Sequence, residues 1–297
     1  KDPNQKIGLG HEVAGEVVKI GAKVTKFKVG DKVLIEPGVP DDTCEYCRTG
    51  RYNICPGVDF MATQPNYKGA LTQYMTHPEE WTYHIPEGMT TMEGALVEPA
   101  AVGMHAAVLG GAQPGKSIVI LGGGTIVLMV LQACISLGAK ALTVVHVIAK
   151  RLELAKKLGA ARVINGKEED TVAVLRSEEM YGDHGVDLVF EAAGAVFTAQ
   201  QAVQIVSRGG KIMMVGTQSK PVPIDFLKIN REVTIQTSFR YCNNFPQTIE
   251  AISSGRFNVK DMVTNIYDYE DVQKAFEEAI DPVKKTEMVK GVIKVAE

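Results

Sequence analysis

The feature that most constrains the fold of this chain is an uncharged segment, Ser117–Ala139. It reaches the length of about 20 residues that a membrane-spanning helix needs. However, Gly122-Gly123-Gly124 interrupts it near its start, and the residues before the glycines are Ile118-Val119-Ile120-Leu121. We therefore predict a buried strand and a buried helix, Thr125–Leu137, joined by a tight turn, and no membrane span.

The alternation of apolar strand and helix continues through the middle of the chain. The strands are almost continuously apolar, and glycines separate several of the segments. This pattern is typical of a doubly wound parallel sheet covered by helices on both faces, so we predict an α/β fold. The predicted strands are Ile118–Leu121, Leu142–Val147, Arg162–Ile164, Val186–Phe190 and Lys211–Val215, and the predicted helices are Thr125–Leu137, Lys150–Leu158, Thr171–Met180 and Phe197–Val206.

The first hundred residues follow a different pattern, in which short apolar runs lie between turns. Val17 and Val18 precede Gly21, and Gly30-Asp31 separates two further short apolar runs. Such spacing predicts a small, irregular β-barrel. The length of 297 residues is about twice that of an ordinary domain, which supports a chain of two domains.

Composition narrows the classes of function. Lysine and arginine number 32 and aspartate and glutamate 35, which gives a net charge of −3. A dedicated nucleic-acid-binding protein usually presents a strongly basic face, so no nucleic-acid partner is expected. Five cysteines, three of them clustered, suit a metal site in a reducing compartment such as the cytoplasm better than a secreted disulfide framework.

Gly122-x-Gly124 lies between a predicted strand and a predicted helix. Glycines at this position let the backbone approach a pyrophosphate at the helix N-terminus. The full dinucleotide fingerprint also has a third glycine and an acid about 20 residues further on. This chain has Val127 and His146 at those positions. The loop therefore indicates a dinucleotide site at which NAD and NADP are both open, and a plain tight turn is the alternative.

The clustered cysteines follow the pattern Asp41-x2-Cys44-x2-Cys47-x7-Cys55 in a segment rich in turn residues. Thiolates separated by two residues can bind one tetrahedral zinc ion, and the Asp41 carboxylate can supply a fourth ligand. The segment therefore predicts a structural zinc site, and the alternative is a loop of the same kind without metal. The remaining cysteines, Cys134 and Cys242, are predicted to be core or pocket residues.

Near the start of the chain, Gly10-His11-Glu12 offers nitrogen and oxygen ligands for zinc, although such a pair alone is often a surface feature. Together with the glycine loop and the cysteine segment, this motif resembles the zinc-dependent medium-chain dehydrogenases over essentially the whole chain. Two further stretches are similar to the sorbitol and xylitol (polyol) dehydrogenase branch. They are Glu98-Pro99-Ala100-Ala101-Val102-Gly103-Met104-His105 and Phe239-Arg240-Tyr241-Cys242-Asn243.

The resemblance implies two domains. A GroES-like β-barrel catalytic domain would take residues 1–100, incomplete at its N-terminus and completed by 245–297. A Rossmann dinucleotide-binding domain would take 101–244. In this family a cysteine ahead of the histidine completes the catalytic zinc site, and none of the ten residues before His11 is cysteine. The resemblance therefore implies that further residues precede Lys1-Asp2-Pro3, and that the chain is less stable without them.

The resemblance also implies roles for individual residues. The expected metal ligands are His11, Glu12 and Glu98 for a catalytic zinc and Asp41, Cys44, Cys47 and Cys55 for a structural zinc. The expected catalytic residues are Glu98 beside the metal, and Arg240 and Tyr241 on the substrate hydroxyls. The expected cofactor-binding residues are Gly122, Gly124, Ile126, His146, Arg151, Val215, Gly216, Phe239 and Arg240.

The implied activity is a zinc-dependent oxidation of a polyol to a ketose by hydride transfer to NAD or NADP. The implied partner is the small polyol itself, and relatives of this type are commonly dimers or tetramers. Two alternatives stay open. A degenerate relative, which binds or acts structurally without catalysis, is suggested by Val127, His146 and Asp41. A zinc-free reductase of the same superfamily is disfavoured by His11 and Glu12.

Overall fold

The structure is a computed structural model that describes residues 6–63, 68–177 and 179–296. Lys1, Asp2 and Pro3 lie outside these ranges. Ser117–Ala139 forms a strand and a helix separated by the predicted glycine turn, as expected. None of the helices in the described ranges is long and apolar enough to cross a membrane.

The first part of the chain consists of short strands and turns, as predicted. Its elements are β1 (Ala14–Glu16), β2 (Lys32–Ile35), β3 (Gly38–Val39), α1 (Glu45–Arg48), β4 (Asp59–Phe60), β5 (Thr82–His84), α2 (Thr91–Ala95) and α3 (Val97–Gly110), with 3-10 turns at Tyr52–Ile54 and Glu79–Trp81. β1, β2 and β5 form an antiparallel sheet with β2 in its centre, and β3 pairs with β4. Gly30 turns the chain toward β2 with a φ of 92°, a conformation that favours glycine.

The middle of the chain forms the predicted parallel sheet. Its elements are β6 (Ser117–Leu121), α4 (Thr125–Ser136), β7 (Ala141–His146), α5 (Ala149–Lys157), β8 (Arg162–Asn165), α6 (Thr171–Leu175), β9 (Val186–Glu191), α7 (Val196–Ile205), β10 (Val206–Met214) and β11 (Thr234–Thr237). The strand order is β11-β10-β9-β6-β7-β8, and every pair is parallel. The order reverses beside β6, where ligands bind in sheets of this kind. The predicted α/β fold is confirmed.

The central strand is also the centre of the core, because Ile118, Val119, Ile120 and Leu121 are all fully buried. Helix α3 packs closely on α4 at Gly103. A Cβ at Gly103 would lie 2.5 Å from the Met129 carbonyl carbon, so glycine permits this approach. The close packing matters for function because α3 carries Glu98 in its first turn.

One helix is shorter than predicted. The sequence favours a helix over Thr171–Met180, but α6 ends at Leu175. Arg176 follows directly, and its guanidinium donates hydrogen bonds to the carbonyls of Gln204 and Val206 on α7 and β10. These tertiary bonds hold the chain in a turn where local propensity would continue the helix.

The last part of the chain returns to the first. Its elements are α8 (Phe245–Ser253), β12 (Val263–Asp268), α9 (Val272–Ile280), α10 (Lys284–Glu287) and β13 (Lys290–Lys294), with 3-10 turns at Lys260–Met262 and Tyr269–Asp271. β12 and β13 pair in parallel, and β13 brings Lys290 to Glu12. The division at residues 100 and 244 stays a prediction, and the boundary at 100 falls inside α3.

Candidate active site

The first candidate metal site joins two distant segments. His11, Glu12 and Glu98 each offer one ligand atom, and these atoms lie within 4.8 Å of one another. Nε2 of His11 lies 3.8 Å from Oε1 of Glu98. We call these three residues the assembled cluster. The sequence predicted its members, and the structure brings them together.

Burial controls the charge of the assembled cluster. Glu98 is 5% exposed, and burial raises the pKa of its carboxyl to about 8, with a further upward contribution from Glu12. Burial also lowers the pKa of His11 below its usual 6.5, which leaves the imidazole lone pair free to bind a metal at neutral pH. Glu12 forms an ion pair with Lys290 from β13.

The segment Phe239–Asn244, which we call the substrate loop, lies against the assembled cluster. The Tyr241 hydroxyl donates a 2.9 Å hydrogen bond to Oε1 of Glu98. The Arg240 guanidinium lies 3.7 Å from the centre of the Phe60 ring, and His11 contacts the same ring edge-on at 5.3 Å. The structure thus places Arg240 and Tyr241, predicted from sequence to contact substrate, beside the predicted metal ligands.

The backbone of the substrate loop is unusual. Arg240 and Asn243 both have positive φ, at 51° and 57°, a region that costs free energy for residues other than glycine. Tertiary bonds hold the loop in this shape. Asn53 donates a 2.8 Å bond to the Phe239 carbonyl, and the ring of His105 pairs with the Asn244 side chain at 2.9 Å.

The second candidate metal site is built from one loop. Asp41, Cys44, Cys47 and Cys55 also present ligand atoms within 4.8 Å of one another. We call these four residues the local cluster. Sγ of Cys44 lies 3.4 Å from Sγ of Cys47, and all four side chains point to one centre. Three thiols and a carboxylate are a donor set that zinc accepts in tetrahedral geometry.

Asp41 is held in place by its own loop. Its Oδ1 accepts backbone hydrogen bonds from Thr43 and Cys44 at 2.8 and 2.9 Å. The Cys44 bond, followed by the Thr43 bond, lowers the pKa of Asp41 to about 2. The carboxylate is therefore charged at neutral pH.

The glycine loop leads from β6 into α4. Gly122 has a φ of 122°, and a Cβ there would lie 3.0 Å from Cγ2 of Val127. Val127 is fully buried, so the branched side chain fills the space under the turn. Gly124 caps α4, and a Cβ at Gly124 would meet nothing within 4 Å. The helix N-terminus is therefore open to an anionic ligand.

His146 ends β7 and covers the glycine loop. Its ring fills the space where a Cβ at Gly123 would lie. Burial, together with the charges of Arg151 and Lys167, lowers the pKa of His146 to about 4. Its buried Nε2 has no hydrogen-bond partner among the described residues. An orphaned ring nitrogen at this edge could bond to a ribose hydroxyl.

The other predicted cofactor residues occupy the same edge of the sheet with different partners. Arg151 donates to the carbonyls of Gly123, Lys285 and Met288. The backbone amides of Val215 and Gly216 bind the Glu191 carbonyl at 2.8 and 2.9 Å. Ile126 is half-buried on α4, and the Phe239 side chain is half-exposed.

Three residues near these sites were not predicted from the sequence. Phe60 supplies the ring under Arg240, and Lys290 pairs with Glu12. Glu191 is fully buried, and its carboxylate accepts bonds from the backbone of Ala193 and Gly194. A charged residue at the end of an apolar strand was the one available signal, and it pointed to Glu191.

The chain matches two family models. They are the alcohol dehydrogenase GroES-like domain over residues 1–87 and the zinc-binding dehydrogenase domain over residues 125–254. It is 63% identical to the zinc-type alcohol dehydrogenase-like protein YdjJ of Escherichia coli, over 100% of this chain and 84% of that protein. It is 42% identical to sorbitol dehydrogenase of Bacillus subtilis, over 92% of this chain and 77% of that enzyme.

A crystal structure of an Escherichia coli oxidoreductase superposes on the chain with a TM-score of 0.96. The sequence identity is 62%, and the alignment covers 100% of this chain and 84% of that one. The two proteins therefore share the same fold over the whole length of this chain.

Proposed function

The chain belongs to the zinc-type alcohol dehydrogenases of the medium-chain family, and from that premise we propose that it oxidises a polyol of the sorbitol or xylitol type to a ketose. The family consists of oxidoreductases that use zinc and NAD(P). The proposal concerns the substrate and the residues that act on it.

One observation carries the proposal. The Glu98 carboxyl lies against both the Tyr241 hydroxyl and the His11 imidazole. Arg240 lies on the neighbouring Phe60 ring. A guanidinium has five N–H donors in a fixed fork, and a phenol can donate and accept. This set suits a substrate with several neighbouring hydroxyls better than a simple alcohol.

The assembled cluster fits a zinc ion by the chemistry of its donors, one imidazole and two carboxylates. His11 and Glu12 would hold it, and Glu98 would lie beside it, within reach of the group bound to the ion. When bound there, zinc would act as a Lewis acid on the substrate hydroxyl, and the nicotinamide ring would accept the hydride.

Glu98 and Tyr241 handle the proton in this proposal. The Glu98 carboxyl, whose Oε1 lies 3.8 Å from Nε2 of His11, would take up the proton that leaves the substrate hydroxyl. Tyr241 fixes the position of Oε1 through its hydrogen bond. Arg240 would orient the other hydroxyls of the substrate.

The dinucleotide would lie along the glycine loop. Gly124 leaves the N-terminus of α4 open for the pyrophosphate, and Gly122 allows the tight turn. His146 offers its orphaned Nε2 to a ribose hydroxyl. Because no carboxylate stands at this strand end, a 2′-phosphate would meet no repulsion from residue 146.

The test is a polyol-dependent reduction of NAD⁺ or NADP⁺ by the zinc-loaded protein. We expect turnover with sorbitol or xylitol, little turnover with ethanol, and loss of activity on chelation. Tyr241→Phe keeps the ring and should raise the KM for the polyol. Absence of turnover with every polyol, at saturating zinc and with either cofactor, would refute the proposal. Tight dinucleotide binding in that case would favour a binding protein without catalysis.

We place this activity in the cytoplasm and in a homo-oligomer. All five cysteines are unpaired in the structure, which suits a reducing compartment. Cell fractionation tests the first statement, and light scattering of the purified protein tests the second.

A further inference from the structure

The loop that carries the local cluster touches the substrate loop directly. Gly50 lies in the first loop, and its carbonyl accepts bonds from the side chains of Cys242 and Asn243. Tyr52, also in the first loop, accepts the backbone N–H of Asn243 at its hydroxyl oxygen, at 2.8 Å. Three hydrogen bonds thus join these two residues of the substrate loop to residues 50–52.

The Tyr52 hydroxyl has a second partner, Glu36, whose position is fixed from both sides. Oε1 of Glu36 accepts the Tyr52 hydroxyl at 2.7 Å, and Oε2 accepts the Tyr83 hydroxyl at 3.0 Å. Glu36 itself is 1% exposed. A carboxyl buried to this degree with two tyrosine donors has a single stable orientation.

The Asn243 amide sets the polarity of this chain of bonds. The Asn243 amide can only donate, so the Tyr52 oxygen must accept from it. The Tyr52 proton is then directed at Glu36, which accepts it. Glu36 therefore sets the orientation of the Tyr52 hydroxyl, and Tyr52 in turn sets the backbone at Asn243, a residue with a φ of 57°.

We propose that Tyr52, oriented by the buried Glu36, is a positioning residue that holds Asn243 in its left-handed conformation and thereby sets the place of Arg240 and Tyr241. Tyr52 touches neither the assembled cluster nor the substrate groups, and its effect passes through the backbone of the substrate loop. The part of the proposal that concerns polyol binding rests on the function proposed above.

The sequence offers a matched control. Tyr83 donates to the same carboxyl as Tyr52, but in the structure its ring stacks on Phe245 and its hydroxyl bonds to Glu36 alone. Tyr83→Phe and Tyr52→Phe each remove one hydroxyl from Glu36 and each keep the ring. They differ in that Tyr52→Phe also removes the acceptor of the Asn243 amide.

The experiment compares the two variants by hydrogen–deuterium exchange and by steady-state kinetics with zinc, cofactor and sorbitol or xylitol. In Tyr52→Phe we expect amides of residues 239–244 to exchange about tenfold faster, because a protecting bond is lost. We also expect the KM for the polyol to rise about tenfold with little change in kcat, as for a loss of uniform binding. Tyr83→Phe should change both measurements clearly less than Tyr52→Phe, because it leaves the acceptor of the Asn243 amide in place.

Either of two results would overturn the proposal. One is wild-type exchange in the loop of Tyr52→Phe. The other is an equal change in Tyr83→Phe, which would mean that both tyrosines act only through the packing of Glu36. If the wild-type protein oxidises no polyol, the function proposed above fails, and the exchange measurement still decides whether Tyr52 holds the loop.

Discussion

The local cluster takes its four ligand side chains from one loop, Asp41–Cys55, whereas the assembled cluster needs a segment near the start of the chain, the first turn of α3 and, beside them, β13. The loop positions Asp41 by backbone bonds to residues two and three positions further on. The assembled cluster is positioned by tertiary packing alone. A site fixed by its own loop can serve stability, while a site at the meeting of distant segments leaves room for a substrate.

The largest expected effect comes from removing the nitrogen ligand of the assembled cluster. His11→Ala should lower polyol turnover by about 10³-fold, because it removes a ligand of the ion that polarises the substrate. Zinc content should fall by one ion per chain while the local cluster stays loaded. Elemental analysis measures the zinc content, and initial rates measure the polyol turnover. His184→Ala, at an exposed histidine away from either cluster, is the control, and unchanged zinc content in His11→Ala would contradict the comparison.

Loss of a ligand from the local cluster should mainly lower the stability of the protein, whereas His11→Ala should mainly lower the rate. Cys47→Ser removes a thiolate, so we expect loss of its zinc and a free energy of unfolding lower by about 3 kcal/mol, the size of a lost structural ligand. The rate at the assembled cluster should fall less than in His11→Ala, because its own ligands are unchanged and the effect passes only through the contact of residues 50–52 with the substrate loop. Chemical denaturation measures the free energy of unfolding, and initial rates measure the turnover. Cys242→Ser makes the same substitution outside the cluster and should retain zinc. A loss of rate as large as that of His11→Ala would contradict the comparison of the two clusters.

The next expected effect concerns Glu36, which accepts hydrogen bonds from Tyr52 and Tyr83. Burial raises the pKa of Glu36 from the usual 4.5 to about 7. The folded protein therefore holds this proton in a range where the unfolded chain has lost it, and stability should fall as the pH rises from about 4.5 to about 7, by about 3 kcal/mol. Urea unfolding across this range measures it.

The control for that titration is Glu36→Gln, which should flatten the dependence. Asp41 behaves differently, because its pKa is lowered to about 2, so Asp41 itself contributes no change between pH 4.5 and 7. An unaltered pH profile in Glu36→Gln would show that other groups cause the dependence.

The smallest expected effect is a gain. Asp41→Cys gives the local cluster four thiolates, the ligand set that structural zinc sites favour. We expect zinc to be retained against about tenfold more competing chelator, a difference of about 1.4 kcal/mol. The gain is limited because the bonds from Thr43 and Cys44 to the carboxylate are lost. Asp42→Cys, one residue away, should show no gain, and an equal gain there would mean that residue 41 faces away from the ion.

The sequence was sufficient wherever the signal is local or periodic. The strands and most helices of the parallel sheet follow from apolar runs and glycines, and the local cluster follows from cysteine spacing. The sequence did not predict where α6 ends, because the Arg176 guanidinium donates hydrogen bonds to carbonyls that are distant along the chain. It also gave no sign of Lys290, which pairs with Glu12 only because β13 returns to the start of the chain.

The sequence by itself determined the α/β sheet with its glycine loop and the loop rich in thiols. It also determined which side chains are available for chemistry: a histidine, two glutamates, an arginine and a tyrosine. Tertiary structure alone decided that Glu98, Tyr241 and His11 meet, and that Glu36 and Tyr52 hold the substrate loop. The physical reason is that spacing along the chain sets contacts over a few residues, whereas burial, which raises the pKa of Glu98 and orients Glu36, exists only when distant segments pack together.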